Sequence, residues 1–146
     1  MSFGNVDFTE FRKMAKNIEQ ATQDEAIDEI LAKILMESAN RVLAKTKERT
    51  PVGQYPAGSG RVGGHLRRNW FLSSLERKGR SVSIEIYNTV HYASFREYGH
   101  RTRNGGGQGW VEGSFMLTLA LKDIEAMLPE IVQKHQQAFL ERLLNL

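Results

Sequence analysis

The chain has 146 residues and a formal net charge of +3, with 20 Lys and Arg against 17 Asp and Glu, 40% hydrophobic residues and no Cys. That length fits one domain, able to bury a core without a disulfide or structural metal. The lack of Cys excludes a disulfide scaffold, a thiol nucleophile and the Cys-rich zinc sites, and no apolar run approaches the roughly 18 residues that span a membrane. The opening MSFGNVDFTEF carries no signal-peptide core, so a compact, soluble, intracellular product is expected, with no membrane contact.

Charge is unevenly spread. Residues 1–40 sum to −4, residues 41–80 to +8, residues 81–103 to +1 and residues 104–146 to −2. A basic centre between acidic flanks predicts an acidic partner, either nucleic acid or the acidic face of a neighbouring subunit. Subunit pairing is the more economical of the two, because the chain supplies both signs.

Residues 1–49 read as helical. A short amphipathic stretch around Phe8, Phe11, Met14, Ala15 and Ile18 precedes a longer helix. In that helix Ile27, Ile30, Leu31, Ile34, Leu35 and Val42 recur at three- and four-residue spacing. Asp24 and Glu25 suit its N-terminus, Lys45 and Lys47 its C-terminus, and Pro51 ends it. Residues 50–64, with PVGQYPAGSGRVGG, read as a long mobile loop. Over 65–89, Leu66, Trp70 and Leu72 alternate with polar neighbours, as do Val82, Ile84 and Ile86. These predict a hairpin turning at Lys78-Gly79-Arg80. Residues 90–99 predict a short helix stopped by Gly99, and residues 100–113 a second Gly-rich loop. Residues 114–146 carry Phe115, Leu117, Leu121, Ile124, Leu128, Ile131, His135, Phe139 and Leu143 on a helical period, with Pro129 marking either a kink or a second helix. The expected fold is α+β: a single domain whose long N- and C-terminal helices pack on a small antiparallel β-sheet with two long Gly-rich loops.

Motifs that suggest chemistry do not survive their context. Gly58-Ser59-Gly60-Arg61-Val62-Gly63 spells G-x-G-x-x-G, but lacks the preceding strand and following helix that dinucleotide binding requires. A phosphate-binding loop fails because Gly64 and His65 stand where Lys and Ser/Thr belong. His65, His91, His100 and His135 show no metal-ligand spacing, and there is no G-x-S-x-G elbow. Glu97, beside Arg96, Arg101 and Arg103, reads as a local ion pair fixing the Tyr92–Gly99 turn. No catalytic residue, cofactor or metal is expected, and the chain reads as a non-enzyme. The basic 41–80 segment, with Arg67, Arg68, Trp70 and Phe71, keeps one alternative open: a non-specific nucleic-acid-binding module. Trp70 nevertheless falls on the apolar face, where it is core.

Three stretches in order carry a resemblance. Thr50-Pro51-Val52, a Gly-rich gap and Gly64-His65-Leu66-Arg67-Arg68-Asn69-Trp70 resemble the "TPV-x-TG-x-L-x-x-S-W" opening of a tailed-bacteriophage tail-component family of neck, or tail-completion, proteins. Asn88, Tyr92-Ala93 and Glu97-Tyr98-Gly99-His100 resemble that family's "N-x-x-x-YA-x-x-x-E-x-G-T/H" run. Phe115-Met116 with Ala120 resembles the start of its closing helix. Together they cover roughly residues 40–125. The gap after Val52 is longer than usual, and His65 replaces a small residue.

The resemblance implies a structural virion protein without an active site, present in the host cytoplasm during assembly and then at the neck of a siphophage, myophage or defective prophage. It implies self-assembly into a ring, six-fold in this family, with head-connector and tail-terminator or tail-tube proteins as neighbours. Pro51, Leu66, Trp70, Tyr92, Glu97, Gly99 and Phe115 are the structural motif positions. The acidic 19–37 helix and the basic 41–80 segment could pair head to tail between subunits. Arg61, Arg67, Arg68, Arg101 and Arg103 are candidates for a subunit interface or for lining a lumen passed by DNA.

Overall fold

The computed structural model describes residues 9–21, 24–79, 81–102 and 109–144. Phe8, Arg80 and Arg103 lie outside the described residues, as do residues 104–108 of the second Gly-rich stretch and the side chains of Phe11, Ile18, Asp24 and Glu25. Five helices and six short strands are present among the described residues: α1 Thr9–Ala21, α2 Asp24–Arg49, α3 His65–Arg68, β1 Trp70–Leu72, β2 Glu76–Lys78, β3 Ser81–Ser83, β4 Ile86–Asn88, α4 Ala93–Tyr98, β5 Gly99–Arg101, β6 Trp110–Glu112 and α5 Met116–Leu144. The α+β class holds, with the two long helices α2 and α5 packed along each other and α1 laid against both.

The α2–α5 seam carries the core. Val42 meets Ala120, Ile124 and Ile131 there, with Ile34 and Ile86 at its edges. On α5 the buried positions are Met116, Ala120, Ile124 and Ile131, a shift from the expected stripe. Leu121 and Leu128 are exposed, and Phe115 is a half-exposed residue ahead of the helix with φ 46°. The apolar face of α5 is broader than its contact with α2, so part of it faces outward. Pro129 is accommodated within one continuous helix.

Glu37 of α2 ties the far end of the seam to α5. Its carboxylate lies 2.7 Å from Arg41 Nη2, 3.1 Å from Lys134 Nζ and 2.6 Å from His135 Nε2. The hydrogen bond from Arg41, then those from Lys134 and His135, hold its pKa down from the ordinary 4.5 to about 2. Folding lowers this pKa, so the cluster stabilises the protein fully above about pH 4.5 and loses that contribution as pH falls through about 2. Glu37→Gln is therefore expected to flatten the fall of the thermal midpoint across that window, with little change in its slope at higher pH. An unchanged acid-side slope would remove the assignment.

The predicted hairpin around Gly79 forms, but as two ladders. β1 pairs antiparallel with β4, Trp70 opposite Asn88 and Leu72 opposite Ile86; β2 pairs with β3, Glu76 opposite Ser83. Between them Ser73 N donates to Glu85 O at 2.8 Å, and Glu85 N donates to Ser73 Oγ at 2.8 Å. Ser74 and Leu75 then oppose the single Ile84, which is a bulge. The extra residue explains how Leu72 and Leu75, three apart, are both half-buried. Leu66 is not in the strand expected for it. It sits in the one-turn helix α3, because Gly64 at φ 90° turns the chain and Arg68 N donates back to Gly64 O. A third hairpin, β5 with β6, occupies both flanks of the stretch expected to be wholly loop.

Candidate assembly surface

The three motif stretches, far apart in sequence, meet in one cluster. Thr50 closes α2 with its side chain and carbonyl fully engaged. Its hydroxyl donates to Thr46 O at 2.6 Å and accepts the indole N–H of Trp70 at 2.9 Å. Its carbonyl accepts both Nε and Nη2 of Arg67, at 3.2 and 2.8 Å. A guanidinium on the last carbonyls of a helix satisfies orphan acceptors and suits the negative end of its dipole. Arg67 is thus held in place by the fold, and free cations for a partner must come from elsewhere. Leu66, Trp70, Val90 and Met116 bury together beside it, with Tyr92 and Ala93 packed on their edge. Asn88 fastens the strand to this cluster, Nδ2 donating to Leu66 O and Oδ1 accepting from Val90 N, each at 2.9 Å.

Glu97 is buried at 4% exposure, and its partner is not a neighbouring arginine. None of the ion pairs among the described residues uses it. Its carboxylate instead accepts Leu117 N at 3.0 Å, Thr118 N at 2.8 Å and Thr118 Oγ1 at 2.7 Å. It therefore caps α5, filling donors that the first turn leaves open and placing an anion at the positive end of the dipole. Nearby charge in the sequence pointed to Arg96, Arg101 and Arg103. A recognisable signal lay elsewhere: Phe115, which cannot cap, stands directly before Met116. Gly99 follows α4 at φ 88°, and a Cβ there would lie 2.5 Å from Val111 O. Only glycine lets β5 run this close to β6.

Residues 51–64 contain no helix or strand, yet their base is defined. The backbones of Gly53 and Gly63 approach so closely that a Cβ on Gly63 would collide with Gly53 O. Arg68 Nη1 donates to Gly63 O at 2.9 Å. Residues 54–62 therefore form an arm closed at its root, with Tyr55 at 47% and Val62 at 78% exposure. Arg61 lies over the Tyr55 ring, 5.9 Å from its centre. Pro51, Leu66, Tyr92 and Arg96 line a cavity of about 250 Å³ beneath this root.

Residues 12–99 match the family model described as "Bacteriophage HK97-gp10, putative tail-component". The chain belongs to this family. No curated protein and no solved structure matches it. As a tail-component family member it is a structural protein of the phage virion. The match covers the Thr50–Trp70 and Asn88–Gly99 motifs, both welded into the cluster above, and ends before Phe115-Met116.

The expected arginines are spread over several surfaces. Arg61 is on the arm, exposed Arg68 beside its root, and exposed Arg101 on β5. Three arginines of the basic 41–80 segment are paired within the chain: Arg41 with Glu37, Arg49 with Asp123 and Arg77 with Asp28, at 2.7, 2.6 and 3.4 Å. Two of those acids, Asp28 and Glu37, belong to α2, so part of the anticipated acidic–basic match is made internally. Among the described residues no group of three metal-ligating side chains converges, and no helix is long and apolar enough to cross a membrane.

Proposed function

We propose that this tail component is a non-enzymatic, ring-forming subunit at the head–tail junction, where it finishes the tail or joins it to the head. The observation that carries the reading is the arm 54–62. It is closed at its root by Gly53 and Gly63, and it leaves Tyr55, Arg61 and Val62 exposed. Loops of this kind on a rigid scaffold serve contacts with other molecules. The ring, six-fold as in the family resemblance, would seat on the head connector and meet tail-terminator or tail-tube proteins. Of the candidate arginines, Arg61 and Arg101 are exposed and left to face neighbouring subunits or passing DNA, while Arg68 holds the root of the arm. Nucleic-acid binding as a primary role finds less support, because Arg41, Arg49 and Arg77 already face acids.

Electron microscopy of lysates from the parent phage or prophage with this gene deleted tests the role. Filled heads beside separate tails, or tails of abnormal length, are expected. Normal joined particles would rule it out. Deleting residues 54–62 should leave the thermal midpoint within a few degrees of the parent, because the deletion joins two backbones already in contact. The same variant should no longer form oligomers in sedimentation velocity. Loss of the folded circular dichroism spectrum would instead make the arm part of the core.

A further inference from the structure

The core leaves one flank open. A groove of about 640 Å³ runs between α2, the β3–β4 side of the hairpin and α5. Its walls include Leu31, Leu35 and Val82, and the outward face of α5 through Leu121 and Leu128. Glu125 is the one charged residue in its lining among the described residues, and none of their ion pairs uses it. Leu121 at 48% and Leu128 at 39% exposure are left to water by their own chain. An open apolar groove with a polar edge is the signature of a contact surface.

The same molecule carries a shape of opposite kind. The arm presents Tyr55 and Val62, with the cation Arg61 between them, and Arg61 has no acidic partner among the described residues. The arm of this chain does not lie in its own groove: Tyr55 and Val62 line the cavity with Leu66, Tyr92 and Arg96, which shares no residue with the groove. Its root follows Thr50 at the C-terminal end of α2. Gly53, Gly63 and Arg68 also tether it at that end. A second copy's arm has no such restraint.

We propose that the arm of one copy lies in the groove of the next, Val62 and Tyr55 against Leu121 and Leu128, with Arg61 facing Glu125. This names the contact within the ring-forming reading and rests on it. Charge complementarity selects this occupant: groove against groove would set Glu125 against another uncompensated acid, whereas the arm delivers a cation beside its apolar residues. Arm and groove are different surfaces with no residue in common, so the contact is head to tail and closes only as a ring or extends as a filament.

The chain contains no Cys, which permits a clean cross-linking test. Val62→Cys and Leu128→Cys alter exposed positions, and circular dichroism melts establish that each variant is folded. With a short bis-maleimide, the double variant is expected to give a ladder ending at the closed ring. An equimolar mixture of the two single variants should give a covalent dimer, and each single variant alone none. A dimer from Leu128→Cys alone would mean groove-on-groove pairing and overturn the proposal. Oligomers in sedimentation velocity without the mixed cross-link would overturn the arm contact while leaving the ring-forming reading in place. A monomer without any cross-link would overturn both. Arg61→Glu and Glu125→Arg should each weaken association about tenfold, and their combination should restore it. Failure of the combination to restore association would remove the pairing of these two charges.

Discussion

Trp70→Ala is expected to destabilise the protein by about 3–5 kcal/mol, read from the urea midpoint of the purified variant. Trp70 is 4% exposed and packs with Leu66, Val90 and Met116, so truncation opens a large cavity where all three motif stretches meet. It also removes the donor to Thr50 Oγ1, although that hydroxyl keeps its own bond to Thr46 O. Trp70→Phe separates the two contributions. It retains an aromatic ring in the cluster and loses the N–H, so a smaller cost, on the order of 1–2 kcal/mol, is expected. Equal losses for the two variants would show that the hydrogen bond and not the packing dominates.

Gly99→Val is expected to cost about 3 kcal/mol or more, because backbone strain and steric overlap act together. At φ 88° a β-branched residue is strained before any neighbour is counted, and its Cβ would lie 2.5 Å from Val111 O and 2.8 Å from the Trp110 ring. Relief would push β6 away from β5. β6 leads directly into α5, whose first turn is capped by Glu97, two residues before Gly99. The damage should therefore spread to the start of α5, visible as faster amide exchange at Leu117 and Thr118. Gly58→Ala is the control. Its φ is similar, +82°, but nothing lies within 4 Å of the added Cβ, so only the conformational cost of about 1–2 kcal/mol applies. Comparable losses at both positions would show that β5–β6 packing contributes little.

Periodicity made the helices legible. α1, α2 and α5 appear where apolar spacing placed them, and the short α4 ends at Gly99 as that glycine's position suggested. Local charge was a poorer guide. Glu97 sits beside several arginines in sequence, yet its partners Leu117 and Thr118 are 20 and 21 residues away, reachable only once β5 and β6 have folded back. Arg67 read as a free surface cation and is instead spent on the end of α2. Leu66, Trp70 and Leu72 satisfied strand alternation, but Leu66 and Trp70 also stand one helical turn apart. The left-handed Gly64 decided for the turn of helix.

Composition, apolar spacing and three short motifs by themselves determined the α+β class, the long helices at both ends, the hairpin about Gly79 and the phage tail-component family, because each is written in neighbouring residues. The tertiary structure alone decided the bulge at Ser74 and Leu75, the Thr50–Arg67–Trp70 junction, the capping of α5 by Glu97, and which part of the α5 apolar face is buried. Those depend on backbone groups meeting across long loops, and on α2 being too narrow to cover every leucine that α5 presents.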